Sequence, residues 1–185
     1  MAPATPDALS STEHPRVSVV IPHHRGQDLI ETCLRSLRQS VGIQYEIIVV
    51  SSAVDESIAW LDAQPDVHLR FEVGGPAHKR NIGTKIAKYA IIVYLDDDTE
   101  VSPYTLYEFY HGFQALPLAS MLFARIYNGE RRSELDDCGS WLTPTGFLYA
   151  RASNVRISHD ELMRPTRCLA SKSAGCAITK AAFSA

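Results

Sequence analysis

Three consecutive aspartates, Asp96-Asp97-Asp98, end the apolar run Val93-Tyr94-Leu95 and are followed by Thr99 and Glu100. Carboxylates so close repel: two unit charges about 4 Å apart oppose each other by on the order of 4 kcal/mol near a protein surface. Lysine or arginine, proton uptake, a divalent cation or exposure to water can offset this. The chemistry such a trio offers is ligation by hard oxygens. Mg2+ or Mn2+ takes one or two carboxylates plus substrate phosphates, which cancels the repulsion and holds a diphosphate leaving group. The structural alternative is a helix N-cap, by Asp98 or Thr99, for a helix starting near Pro103. One cap needs no second or third carboxylate.

A second cluster lies upstream in Arg80-Asn81 with Gly83, after Gly74-Gly75-Pro76-Ala77-His78-Lys79. The spacing predicts that it sits near a helix start, where free N–H groups and the dipole favour an anion. The plain alternative is a solvated helix face continued by Lys85 and Lys88. Because the cluster precedes the strand that delivers the aspartates, a diphosphate would lie between cations and metal. His23-His24 has no cysteine or carboxylate at zinc-ligand spacing and reads as a loop pair lining a pocket. Gly175 allows close backbone approach to a substrate or serves packing. Trp141 and Tyr149 read as core or loop anchors rather than sugar platforms. Two phosphate motifs are excluded: D-x-D-x-T/V fails at Glu100 and follows the fourth strand, and G-x-x-x-x-G-K-S/T is absent.

These residues need elements to position them. Arg16–Pro22 is a β-branched run stopped by proline, a buried strand. Ile30, Cys33, Leu34 and Leu37 recur at helical spacing, with Asp28 as N-cap. Glu46–Val50 is a second buried strand, Ile58–Leu61 a short helix, and Val67–Val73 an alternating third strand. Ile82, Ile86 and Ala90 mark another helix, and Ala90–Leu95 the fourth strand. A helix follows Pro103 through Phe113. Met121–Ile126 and Phe147–Ala150 read as strands separated by a polar loop, residues 128–140. Ser171–Thr179 is a small-residue strand, followed by a helix from Lys180. Strands alternating with helices predict an α/β fold, an open, mostly parallel sheet with helices on both faces. Such sheets bind ligands at the carboxyl ends of their strands. Pro22 to Arg25, Ser51-Ser52 and Asp96 to Asp98 therefore share one rim.

Composition narrows the classes. The chain has 185 residues, 45% hydrophobic, with net charge -3, which predicts one soluble globular domain over 16–185. Residues 1–15 read as a disordered lead-in without the basic and apolar regions of a secretory signal. An acidic balance argues against nucleic acid. The longest apolar run, Tyr89–Leu95, is far short of the ~20 residues of a membrane helix, leaving peripheral attachment at the inner face of a membrane open. Cys33, Cys138, Cys168 and Cys176 have no C-x-x-C spacing and read as small core residues in a reducing, cytoplasmic compartment.

The stretches VSVVIPHHRGQDLIETCLRSLRQ, YEIIVVSS and GPAHKRNIGTKIAKYAIIVYLDDDTEVSP, in that order, resemble the nucleotide-binding half of family 2 glycosyltransferases with the Rossmann-like GT-A fold. SKSAGCAITKAAF resembles a later segment near the acceptor pocket. The resemblance spans about Val17 to Phe183 and is weak from Leu116 to Ala170. It implies a nucleoside diphosphate sugar donor, an acceptor hydroxyl on a glycan, lipid-linked or other molecule, and Mg2+ or Mn2+. Asp96 would face the ribose or sugar, with Asp97 beside it, and Asp98, with Asp96, would bind the metal. Arg80 matches the arginine of the family's R-N-x-G stretch. Pro22 and His24 would lie over the nucleotide, and Gly175 on the acceptor side. Two departures stand out. The family's aspartate after the second strand is replaced by Ser51 and Ser52, with Asp55 the nearest carboxylate. The Glu-Asp motif that supplies the general base is expected beyond Ala185, and Asp160 and Glu161 are not assigned to that role. A non-catalytic binding module of the same fold is the alternative. A sugar-phosphate nucleotidyltransferase fits less well, because PHHRGQD is a poor Gly-rich loop.

Overall fold

A computed structural model describes residues 14–152, 155–156 and 164–184. Residues 1–13 of the expected lead-in, and Asp160 and Glu161, lie outside the described residues. The elements run β1 (Arg16–His23), α1 (Gln27–Leu37), β2 (Gln44–Ser51), α2 (Ser57–Asp62), β3 (Val67–Phe71), α3 (Pro76–Ile86), β4 (Ile91–Leu95) and α4 (Thr105–Ala115). Shorter strands follow: β5 (Met121–Phe123), β6 (Ile126–Tyr127), β7 (Glu134–Asp137), β8 (Ser140–Leu142), β9 (Leu148–Ala150), β10 (Val155–Arg156) and β11 (Gly175–Thr179), then α5 (Lys180–Phe183). The chain groups into two compact units, Met1–Leu122 with Ala177–Ala185, and Phe123–Cys176. No described helix is long and apolar enough to cross a membrane.

A six-stranded sheet in the order β3-β2-β1-β4-β11-β5 organises the first unit. β1 pairs in parallel with β2 and β4, and β2 with β3. Parallel strands are covered on both faces and so read as continuous apolar runs. All five residues of β4 are buried, as are Val17 to His23 of β1. α1 buries Ile30, Cys33, Leu34 and Leu37, the stripe expected from their spacing. Val20, on β1, pairs with Ile48 and Tyr94, and α3 lies against it. A Cβ on Gly83 would fall 2.3 Å from Val20 Cγ1, so only glycine lets helix and strand approach this closely. Gly83→Ala is therefore expected to cost about 1–3 kcal/mol by overpacking. Val20→Ala in the same chain should recover part of that loss, since touching sites are non-additive. Urea unfolding of both variants checks this.

Several boundaries differ from the sequence reading. α1 starts at Gln27 behind Gly26, whose φ of 89° favours glycine, and Asp28 lies in the first turn rather than at the cap. α3 starts at Pro76, a turn before its apolar periodicity, because proline needs no N–H partner at the first helical position. Arg80 therefore sits a full turn inside the helix, and Ala90 lies outside it, its carbonyl accepting from the Lys180 N–H at 2.7 Å. α4 starts at Thr105, after Tyr104, so Pro103 is not in its first turn and neither Asp98 nor Thr99 caps it.

After α4 the expected strand Met121–Ile126 is split between β5 and β6, and the polar stretch 128–140 contains β7. β7 escaped notice because its inward positions are Leu135 and a second aspartate, Asp137. Asp137 is 5% exposed. It accepts from the Gly139 N–H at 3.0 Å, the Ser171 hydroxyl at 2.8 Å and the Lys172 N–H at 2.7 Å. Burial alone would raise its pKa, but those donors and the Lys172 charge together hold it below the ordinary carboxylate value. A depressed folded pKa adds stability above the unfolded value of about 3.9, lost as pH falls through the folded value. Asp137→Asn should thus weaken the fold at pH 7 and flatten its acid-unfolding curve below about pH 4, measured by circular dichroism. Trp141 is anchored as expected, its indole N–H donating to the Arg167 carbonyl at 3.1 Å. Tyr149 is 62% exposed and anchors nothing in the core.

Candidate functional site

Topology brings the carboxyl ends of β1, β2 and β4 together at one rim, all within the first unit. The three aspartates that follow β4 have three different surroundings. Asp96 Oδ1 is ion-paired with the Arg80 guanidinium. Asp97 Oδ2 meets His23 Nδ1 at 2.7 Å and lies 3.4 Å from the His24 N–H. Asp98 has no ion-pair partner among the described residues and is exposed. Partial desolvation of its carboxyl, then the charges of Asp96 and Asp97, push its pKa above the ordinary value. Asp96 thus has an arginine and Asp97 a histidine beside it, whereas Asp98 is exposed without an ion-pair partner among the described residues.

Behind the aspartates the rim is tightly bonded. His23 is fully buried, and its Nε2 meets the Ser57 hydroxyl at 2.9 Å. Ser57 in turn donates to Asp55 Oδ1, and its N–H bonds the same oxygen at 3.1 Å. Asp55 Oδ2 accepts from the Gly26 N–H at 3.2 Å. The Ser57 hydroxyl, then the Gly26 N–H, hold the Asp55 carboxyl below its usual range. Lys79, 3% exposed, donates to the His23 carbonyl at 2.5 Å and to the Ser52 hydroxyl at 2.7 Å. Burial lowers its pKa, against the pull of Asp97. Cys33, behind the acidic loop, is pushed up to about 12 by burial and then by the three aspartates, so its thiol stays protonated. One polar atom is unspent: Arg80 Nε–H is buried without an acceptor among the described residues. Such orphans cost about 1–3 kcal/mol and call for an explanation where they occur.

The sequence profile of glycosyl transferase family 2 matches residues 18–161. The chain belongs to glycosyl transferase family 2. An uncharacterized protein of Mycobacterium tuberculosis (strain CDC 1551 / Oshkosh) is 30% identical over 147 residues, 77% of this chain and 44% of that protein. Poly(ribitol-phosphate) beta-glucosyltransferase of Bacillus spizizenii is 33% identical over 106 residues, 52% of this chain and 17% of that enzyme. Among solved structures, the mannosyltransferase PcManGT of Pyrobaculum calidifontis, in complex with GDP-Man and Mn2+, superposes with a TM-score of 0.54 at 26% identity. That match covers 63% of this chain and 37% of the other. The chain spans less than half the length of these relatives. The fold is the Rossmann-like GT-A sheet.

With the family established, the expected residues can be placed. Pro22, His24, Asp55, Arg80, Asp96, Asp97 and Asp98 all lie at or beside the rim. Ser51 ends β2 but is fully buried, its hydroxyl accepting from the Ala53 N–H at 3.0 Å, whereas Ser52 is half-buried. His23 and His24 do not act as a pair: β1 extends through His23 and turns it inward, leaving His24 exposed with Nδ1 3.3 Å from the Ser52 hydroxyl. Gly175 belongs to the second unit, where its missing Cβ would meet Ala124 Cβ at 3.3 Å, the packing role. Sequence reasoning put His23 in a pocket-lining loop rather than buried at the end of β1, and missed Ser57 and the buried placement of Lys79. A polar residue closing an otherwise apolar strand was the one available signal for His23.

Proposed function

We propose that this chain forms the donor side of a glycosyltransferase. It binds a nucleoside diphosphate sugar with Mg2+ or Mn2+ at the rim of β1, β2 and β4, for transfer of the sugar to an acceptor hydroxyl with inversion. The observation that carries this reading is the division of labour among the aspartates. Asp96 is ion-paired with Arg80, Asp97 is hydrogen-bonded to His23, and Asp98 is left exposed with like charges beside it. A lone, electrostatically strained carboxylate is a poor structural element and a good hard-cation ligand. The described residues hold no cluster of three His, Cys, Asp or Glu side chains fit for a metal. A cation there would take its remaining ligands from phosphate oxygens and water.

Asp98 and the second oxygen of Asp96 would hold the cation, which neutralises charge on the departing diphosphate. Arg80 orients Asp96 toward the ribose or sugar and keeps Nε–H as an unspent donor beside it. Pro22, His24, Ser52 and Asp55 bound the nucleotide side. Asp55 is so fully engaged by Ser57 and Gly26 that it shapes this loop more than it reads a base. Mannosyl and glucosyl transfer by relatives bound to GDP-Man with Mn2+, or named for glucosyl transfer, supports the donor class. The free cysteines support a cytoplasmic site of action, with peripheral attachment to a membrane included in this proposal.

Titration calorimetry with UDP-sugars and GDP-mannose, with and without Mn2+, tests the proposal. Metal-dependent binding of at least one donor is expected. Absence of binding to all of them removes the reading, and binding without turnover favours a non-catalytic module.

A further inference from the structure

Asp55, Ser57, His23 and Asp97 form one continuous line of hydrogen bonds behind the rim. We propose that His23 is a positioning residue of the donor site, coupling the loop after β2 to the acidic loop after β4. This inference rests on the donor-binding reading above. Its basis is a count of protons. The Ser57 hydroxyl has a single proton and gives it to Asp55, a carboxylate that also accepts the Gly26 and Ser57 N–H groups. Ser57 Oγ must then accept from His23 Nε2–H, since a hydroxyl oxygen has lone pairs left but no second proton. That orients the ring and leaves Nδ1 facing Asp97 Oδ2 across 2.7 Å.

Nothing competes for the ring, because His23 is fully buried. Its backbone is fixed too: the carbonyl accepts from Lys79 Nζ at 2.5 Å and from the Ser52 N–H at 3.3 Å. The imidazole is therefore a strut of fixed length with a loop at either end. One loop carries Asp55 and Ser52. The other carries Asp97, flanked by Asp96 and Asp98. Moving Asp55 moves the Ser57 acceptor, and the ring transmits the shift to the neighbours of the exposed carboxylate. His23 touches no ligand in this scheme; it acts through Asp97.

Ser57→Ala tests the strut, because it cuts the line at a buried residue outside the rim surface. In the free protein, 15N spectra should show shifts at the amides of Asp96, Asp97 and Asp98. Shifts confined to residues 55–60 would overturn the coupling. In calorimetry with Mn2+ plus UDP, and separately Mn2+ plus GDP, Ser57→Ala and Asp97→Asn should each weaken binding by roughly 10-fold, the lower end for supports behind a metal ligand. The double variant should be no weaker than the worse single one; additive losses would show two independent structural effects and sink the proposal. If the wild-type chain binds neither nucleotide, the donor reading fails, and the spectra alone decide the coupling.

Discussion

Asp98→Ala is expected to remove Mn2+-dependent nucleotide binding while leaving the fold intact. Loss of a supporting residue behind a metal ligand costs about 10–100-fold in affinity, so loss of the ligand itself should raise Kd by roughly 100-fold or more. Stability should move the other way. Asp98 is exposed, has no cation among the described residues, and carries charges on Asp96 and Asp97 beside it. Removing it relieves repulsion, so the thermal midpoint should stay level or rise. A residue whose removal helps the fold and ruins binding is the pattern of a functional site kept at a cost in stability. Asp62→Asn, exposed at the last position of α2, serves as control and should change neither quantity. Calorimetry with Mn2+ and UDP or GDP, paired with a melting curve, gives both readings. Unchanged metal-dependent binding in Asp98→Ala would falsify the assignment.

His23→Ala should have the largest effect on stability. The ring is fully buried, so its removal leaves a cavity and takes one hydrogen-bond partner each from the Ser57 oxygen and from Asp97. Cavity and unmet polar groups together are worth about 3 kcal/mol. For a chain of this size that lowers the melting temperature by roughly 6–12 °C. Asp97, partly open to water, can recover one partner; Ser57, buried, cannot. Urea unfolding decides the matter: a loss below about 1 kcal/mol, the net value of one ordinary hydrogen bond, would mean that the line of bonds is not a rigid part of the fold.

Much of the first unit was legible in the sequence because its signals are local. Parallel strands buried on both faces leave apolar runs, and β1, β2 and β4 stand, to within a residue or two, where Arg16 to Pro22, Glu46 to Val50 and Ala90 to Leu95 predict. The α1 stripe of Ile30, Cys33, Leu34 and Leu37 follows from helical period alone. Element ends were less legible. The start of α3 is set by Pro76, off the apolar face that periodicity reports, and β7 hides its inward position behind an aspartate. Three carboxylates after a buried strand likewise announced a rim site, but their identical letters could not say which one is free.

That was decided by tertiary structure. His23 and Asp97 are 74 positions apart, His23 and Ser57 34, and Lys79 reaches the His23 carbonyl across 56. Sequence carries period and residue type over a few turns of chain, whereas the charge and reach of a carboxylate depend on which distant donors the sheet order sets beside it. Only once β1 lies between β2 and β4 does Asp97 acquire a buried histidine and Asp96 its arginine, while Asp98 stays exposed without an ion-pair partner among the described residues.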